Sequence, residues 1–313
     1  MKGKILFVDN AHEILIDELT ASGYQCDYFP GYKRVDYEKI IHAYIGVIIR
    51  SGIELDQPMI DKAVNLKFIG RVGAGMESID VDYAKRKGIV CLNSPEGNRD
   101  ALAEHAMGMI LCLFNNIKRA DTEVRKGIWE REKNRGLEIK GKTVGIIGYG
   151  NMGGAFAQRL KGFGANVIAY DKYKKDFADE YVKEVTLETI YEETDILSFH
   201  VPLTEETKYM FNDAFIGKFK HEIYLINTAR GKVVNTDSLV KTLGSGKVKG
   251  ACLDVLEYEK FSFEEIDSNL LPDSYQYLIN SDNVILTPHI AGWTVESKYK
   301  LAKVLLDKIK EVL

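Results

Sequence analysis

The sequence predicts an α/β protein of two doubly wound domains, one inserted into the other. Three observations carry that expectation. Short apolar strands alternate with amphipathic helices over nearly all of the 313 residues, the rhythm of βα units around parallel sheets. A glycine-rich strand–turn–helix stretch, Val144–Gly153, lies mid-chain, after a complete set of such units has already passed. The closing segment from Trp293 to Leu313 reads as one long amphipathic helix suited to return to the first domain, so two crossovers are expected. The expected limits are 1–98 plus 290–313 for the outer domain and 99–289 for the inserted one.

Taken in order, Ile5–Asp9 is a strand, and His12–Ala21 carries Ile14, Leu15 and Leu19 at helical spacing until Gly23 stops it. Strands follow at Tyr24–Phe29, Gly46–Ile49, Leu66–Val72 and Ile89–Leu92. Helices are expected between them at Tyr37–Ala43, Asp56–Val64 and Val81–Lys87. The turn-rich stretch Asn93–Asn98 marks a boundary. Asp100 to Asn116 is a long helix rich in Ala, Met and Leu, Lys118–Gly127 a charged amphipathic one, and Trp129–Lys140 an exposed, charged segment. Trp129 is either a subunit anchor or a satellite packing contact. Beyond the glycine-rich turn come a strand at Val167–Tyr170, a helix at Thr186–Glu193 capped by Thr186, and strands at Asp195–Phe199 and Glu222–Asn227. A helix at Asn235–Leu243 and strands at Gly250–Val255 and Asn283–Thr287 complete the series.

Charged residues make up 28% and hydrophobic residues 45% of the chain, with a formal net charge of −4. That balance is ordinary for a globular protein and argues against a nucleic-acid footprint. No apolar run reaches the ~18 residues of a membrane span, and the first apolar run is too short for a signal peptide. A cytoplasmic protein without a membrane partner is expected. Cys26, Cys91, Cys112 and Cys252 are far apart and form no C-x-x-C. They read as small core residues in a reducing compartment, with no metal.

The chemistry gathers at the ends of the expected strands. Gly148, Gly150 and Gly153 form G-x-G-x-x-G between a strand and a helix start. The first glycine permits the tight turn, the second lets backbone approach a pyrophosphate, and the third lets helix and strand pack closely. Asp171 closes the next strand, where an acid grips the ribose hydroxyls of NAD and repels a 2′-phosphate. Lys172 beside it softens that preference. Arg50, Arg71, His200, Arg230 and His289 also follow strands, and that edge of an open α/β sheet is where ligands bind. Singly, such an arginine is more often a surface ion-pair partner and such a histidine more often structural. Their common placement favours function. Hydride transfer to a ketone needs a proton donor and a cation near the carbonyl. His289 suits the first role, with Asp254, Glu257 or Glu259 as its carboxylate partner, and Arg230 suits the second. Gly73-Ala74-Gly75 offers backbone N–H groups to an anion.

Those stretches, together with His200-Val201-Pro202-Leu203-Thr204, Asn227-Thr228-Ala229-Arg230-Gly231, Leu253-Asp254-Val255 with Glu259, and Thr287–Gly292, resemble the D-isomer-specific 2-hydroxyacid dehydrogenase family over nearly the whole chain. The resemblance implies a Rossmann NAD-binding domain inserted into a flavodoxin-like substrate domain, and a homodimer. It implies a catalytic trio of Arg230, Glu259 and His289, selecting Glu259 over Glu257. It also implies NAD contacts from Asn151, Met152, Asp171, Val201, Thr228 and Asp254 beside the three glycines. Formate dehydrogenases carry glutamine in place of the trio's glutamate, so Glu259 argues against that activity.

Within the family, the first domain is most similar to D-3-phosphoglycerate dehydrogenases, through Ile49-Arg50-Ser51, Gly70–Gly75 and Asn93–Asn98. Arg50, Ser51, Arg71, Gly73, Ala74 and Gly75 are then the expected substrate-binding residues, and two arginines suit a phosphate better than a small monocarboxylate. The expected function is oxidation of 3-phosphoglycerate in serine synthesis. The alternatives are a hydroxypyruvate or glyoxylate reductase, another D-2-hydroxyacid dehydrogenase, or an NAD-sensing corepressor-like protein. Three departures from the family pattern bear on substrate. Lys260 stands where proline usually follows the glutamate, Phe261–Ser281 is longer than usual, and Trp293 replaces a small residue. The chain's end at Leu313 leaves no room for a C-terminal regulatory domain, so serine feedback through one is not expected.

Overall fold

The computed structural model describes residues 2–259 and 271–313. Two compact units emerge, Met1–Arg99 with Trp293–Leu313, and Asp100–Gly292.

In the first unit, five parallel strands lie in the order β2-β1-β3-β4-β5: β1 Lys4–Phe7, β2 Gln25–Tyr28, β3 Gly46–Ile49, β4 Phe68–Arg71 and β5 Val90–Asn93. This is the flavodoxin-like 2-1-3-4-5 order. The central strands are continuous apolar runs because both sheet faces are covered. Val47, Ile49 and Ile69 pack with Met59 and Ile60 on one side, and Ile48 and Phe68 with Leu305 and Ile309 of the last helix on the other. That helix, Val295–Val312, belongs to this unit. Its N-terminus is fixed by a capping box between Thr294 and Ser297.

The second unit holds seven parallel strands in the order β12-β11-β10-β9-β6-β7-β8. They are β6 Thr143–Ile147, β7 Asn166–Tyr170, β8 Lys183–Glu184, β9 Ile196–Phe199, β10 Ile223–Asn227, β11 Val248–Leu253 and β12 Val284–Leu286. Read from β6 outwards, this is the doubly wound dinucleotide-fold order with one strand added, and its switch point lies between β6 and β9. The helix Arg99–Phe114 is buried along Ala103, Ala106, Ile110 and Phe114 in the core under β6. Among the described residues no helix is long and apolar enough to cross a membrane.

The structure differs from the sequence expectations at element ends and in short elements. The helix expected at Tyr37 begins at Arg34, where a polar first turn is held by Arg34 pairing with Glu38 and Asp56. No apolar period marks that turn. The two-residue strand β8 and the four-residue helix Asp213–Ile216 are too short to leave a period. Within the stretch Phe261–Ser281, positions 261–270 lie outside the described residues, and Asp273–Asn280 is a helix packed through Leu278. Trp129 is 79% exposed.

Candidate active site

Strand register brings the site residues of the second unit to one level. Ile147 lies beside Tyr170 and Phe199, Phe199 beside Asn227, Asn227 beside Leu253, and Leu253 beside Leu286. The next residue of each strand is therefore Gly148, Asp171, His200, Thr228, Asp254 or Thr287, in a row along the carboxyl edge.

The glycine turn has the shape a pyrophosphate needs. Gly148 sits at φ +95°, and a side chain at Gly153 would run into the Gly148 carbonyl oxygen. A Cβ at Gly150 would meet nothing within 4 Å, so that backbone is open to a ligand. Asn151 and Met152 open the helix Asn151–Leu160, whose N-terminal dipole favours an anion. Asp171 ties the turn to the next strand. Its carboxylate accepts from the backbone N–H of Tyr149 at 2.8 Å and of Tyr173 and Lys174 at 2.9 Å each. Burial pushes the Asp171 carboxyl up, but these N–H groups and the nearby Lys174 ammonium outweigh it and hold it below its ordinary range. It stays ionised, the form a ribose diol binds. Val201 packs close to Gly148, and the buried Thr228 hydroxyl oxygen has no partner among the described residues. A dinucleotide fits this set, with Thr228 supplying a polar group that the protein itself leaves unsatisfied.

Three acids were open partners for His289, and the structure separates them. The carboxylate of Glu259 lies 2.6 Å from His289 Nδ1, and its other oxygen accepts from the Leu256 N–H at 2.5 Å. Glu257 points elsewhere, accepting from the Thr236 N–H, and burial raises its carboxyl above the ordinary range. Asp254 is buried and braces the turn that carries the imidazole. It accepts from the Thr287 hydroxyl at 2.6 Å and from the backbone N–H groups of Ile290 and Ala291 at 2.9 Å each. His289 itself stands at φ +55°, a conformation costing a non-glycine residue ~1 kcal/mol or more. The bond from its N–H to the Asp254 carbonyl at 2.7 Å helps hold it there. With Nδ1 protonated toward Glu259, the imidazole lone pair lies on Nε2, the arrangement of a general base.

Arg230 is set by a buried amide. The Asn227 side chain accepts from the Ala229 N–H at 3.1 Å and donates to the Arg230 carbonyl at 3.0 Å, closing the turn after β10. Gly231 lies against the Leu256 carbonyl so closely that a Cβ would collide with it. The turn bearing Arg230 and the turn bearing Glu259 thus pack backbone to backbone. Two residues of this scaffold escaped the sequence reading. Asn227 was visible only as part of a motif. His105, beside Glu104 in a helix otherwise apolar from Ala101 onward, places Nε2 3.1 Å from the Thr287 hydroxyl and 3.6 Å from Asp254.

His200, on the same edge, is not part of the pair. Its Nε2 bonds Ser198 Oγ at 2.8 Å, its ring lies against Phe156, and its Nδ1 is buried. Burial draws its pKa down to about 3. The unfolded chain titrates near 6.5, so between these values the unfolded state binds the extra proton. Stability is present above pH 6.5 and is lost as pH falls toward 3, by at most ~1.4 kcal/mol per pH unit. A thermal melt series from pH 7 to 4 checks this, with His200→Gln expected to show a shallower fall in Tm than wild type.

In the first unit, Arg71 ends β4, and Arg50 and Ser51 follow β3 one rung further on. Asp9 accepts from the N–H groups of Arg50 at 2.5 Å and Gly52 at 3.0 Å, clamping that turn. The Arg71 guanidinium folds over Gly73. The Gly73 N–H is already donated to Ser94 Oγ at 3.1 Å and to the Arg71 carbonyl at 2.9 Å. Of the three N–H groups expected to meet an anion, Ala74 and Gly75 supply the two not committed in this way.

The family model described as D-isomer specific 2-hydroxyacid dehydrogenase, NAD binding domain, matches residues 107–291. The chain is 40% identical over 271 residues to a hydroxypyruvate reductase of Thermotoga maritima, covering 87% of this chain and 85% of that one. It is 35% identical over 308 residues to a D-3-phosphoglycerate dehydrogenase of Archaeoglobus fulgidus, covering 98% of this chain and 56% of that one, so it spans just over half of that relative's length. Among solved structures, a D-lactate dehydrogenase of Aquifex aeolicus complexed with NAD and lactic acid superposes with a TM-score of 0.84 at 30% identity, covering 98% and 94% of the two chains. The fingerprint turn, the aligned strand ends and these matches together place the chain in the D-isomer specific 2-hydroxyacid dehydrogenase family, as an NAD-dependent oxidoreductase of CH–OH donors.

Proposed function

We propose that this enzyme oxidises 3-phosphoglycerate to 3-phosphohydroxypyruvate, the keto acid from which serine is made. The observation that carries the reading is the pair of arginines at neighbouring strand ends of the first unit, Arg50 and Arg71. A phosphate carries up to about two negative charges and suits guanidinium forks, whereas a small monocarboxylate needs fewer cations. In the proposed reaction, His289 Nε2 takes the C2 hydroxyl proton and Glu259 stabilises the imidazolium that forms. Arg230 holds the carboxylate with the Gly73–Gly75 turn and polarises the carbonyl developing at C2. Arg50, Ser51 and Arg71 take the phosphate. Bound NAD supplies the hydride acceptor, held by Gly148–Gly153, Asp171, Val201, Thr228 and Asp254.

Reduction of hydroxypyruvate or glyoxylate is the second reading. It is supported by the 40% identity to a hydroxypyruvate reductase of nearly matching length. Comparing kcat/KM for 3-phosphoglycerate and D-glycerate in wild type and Arg50→Ala separates the two. Wild type is expected to prefer the phosphorylated acid at least tenfold, and Arg50→Ala to erode that preference. Equal use of both acids by wild type would sink the phosphate assignment and leave the second reading standing.

A further inference from the structure

Trp293 is the departure from the family pattern that the reaction does not use, and its surroundings give it a task. The indole is 63% exposed, so it does not serve to fill the core. It lies instead under the Arg50 guanidinium, whose central carbon is 4.3 Å from the ring centroid. Both partners are anchored by their backbones. Trp293 immediately precedes the Thr294–Ser297 capping box, with Thr294 N–H donating to Ser297 Oγ at 2.9 Å and Ser297 N–H to Thr294 Oγ1 at 3.0 Å. Arg50 sits on the turn clamped by Asp9.

A guanidinium donates hydrogen bonds in its plane, while an aromatic ring attracts it through its face. Stacking therefore restrains the side chain's rotamers and sheds water from one face without competing for its in-plane donors. An arginine so restrained loses less freedom when it captures an oxyanion.

We propose that Trp293 is a specificity-determining residue. It orients Arg50 as a stacked anchor for a second anionic group, a phosphate, on the 2-hydroxy acid substrate. This rests on the assignment of Arg50 to the substrate.

The kinetic test is the ratio of kcat/KM for 3-phosphoglycerate to that for D-glycerate. Trp293→Ala is expected to lower it about three- to thirty-fold, the worth of one cation–π contact, mainly through KM for the phosphorylated acid. Trp293→Phe keeps a ring face and should fall between. A wild type that prefers the phosphorylated acid while Trp293→Ala keeps that preference overturns the proposal alone.

A direct test uses the fact that the chain holds two tryptophans. In Trp129→Phe, Trp293 is the sole indole, and titration with inorganic phosphate should change its fluorescence saturably. Adding Arg50→Ala should abolish that response. If wild type shows no preference for 3-phosphoglycerate, the reading of the substrate falls. An Arg50-dependent phosphate response would still uphold the stacked anchor, and no response would overturn it.

Discussion

His289→Ala lowers kcat by about 10²–10⁴-fold, the range general acid–base catalysis contributes, and leaves NAD affinity close to wild type. The expectation follows from the way the turn divides its work. In the proposed reaction the imidazole takes the proton, whereas the turn itself is held by Asp254, through the Thr287 hydroxyl and the N–H groups of Ile290 and Ala291. Removing the ring therefore deletes the base without dismantling its support. Glu259→Gln gives a second, graded result. The amide can keep a contact to Nδ1, but it loses the negative charge that stabilises the imidazolium. It can also present N–H to Nδ1, which moves the proton to Nε2 and turns the base into a donor. A loss of about 10²-fold or more in kcat is expected, as for an uncharged partner in a histidine–carboxylate pair. Pre-steady-state transients of NADH formation check both variants. Wild-type turnover of every accepted substrate by His289→Ala would show that another group moves the proton.

Much of this arrangement is legible in the sequence because it is written in strands. The runs Val144–Ile147 and Gly46–Ile49 are buried on both faces, so they appear as unbroken apolar stretches, and whatever follows them lands on the carboxyl edge. That logic located Gly148, Asp171, Arg230 and His289. It could not tell His289 from His200, which follows a strand just as closely. The difference is tertiary: Phe156 and Ser198 enclose one ring, whereas Glu259 engages the other. Nor could spacing choose among Asp254, Glu257 and Glu259, which lie within six positions of one another. The family resemblance selected Glu259, and the turn after β11, which sends the three in different directions, sets the Glu259 carboxylate 2.6 Å from Nδ1. His105 was invisible for a related reason. Nothing local to the helix Arg99–Phe114 signals that it reaches Thr287, far along the chain. The short elements, β8 and Asp213–Ile216, exist because neighbours pair with or pack on them, not because their own residues have a period.

Arg230→Ala is expected to lower kcat/KM by about 10²–10³-fold, the cost of removing one donor aimed at charge that develops in the transition state. Arg230→Lys separates two parts of that loss. Lysine restores a positive charge but not the planar fork, so it should recover carboxylate attraction while failing to hold two oxygens in one plane. If Arg230 acts as charge alone, the lysine variant regains most of the activity. If it acts as an oriented fork, kcat stays low while KM recovers, and the second outcome is expected. The physical basis is the construction of the turn. The buried Asn227 amide holds Ala229 and the Arg230 carbonyl, and Gly231 is pressed against Leu256. These contacts fix the backbone at position 230 relative to the turn that carries Glu259. On that fixed backbone the guanidinium donates to the Ala229 carbonyl at 2.6 Å, so the turn restrains the fork as well as the chain, and such an oriented fork is what a point charge on a flexible stem cannot reproduce. Added guanidinium ion tests the same point from the other side. It should partly rescue Arg230→Ala and leave Arg230→Lys unchanged, because the fork it supplies fits only where the side chain has been cleared.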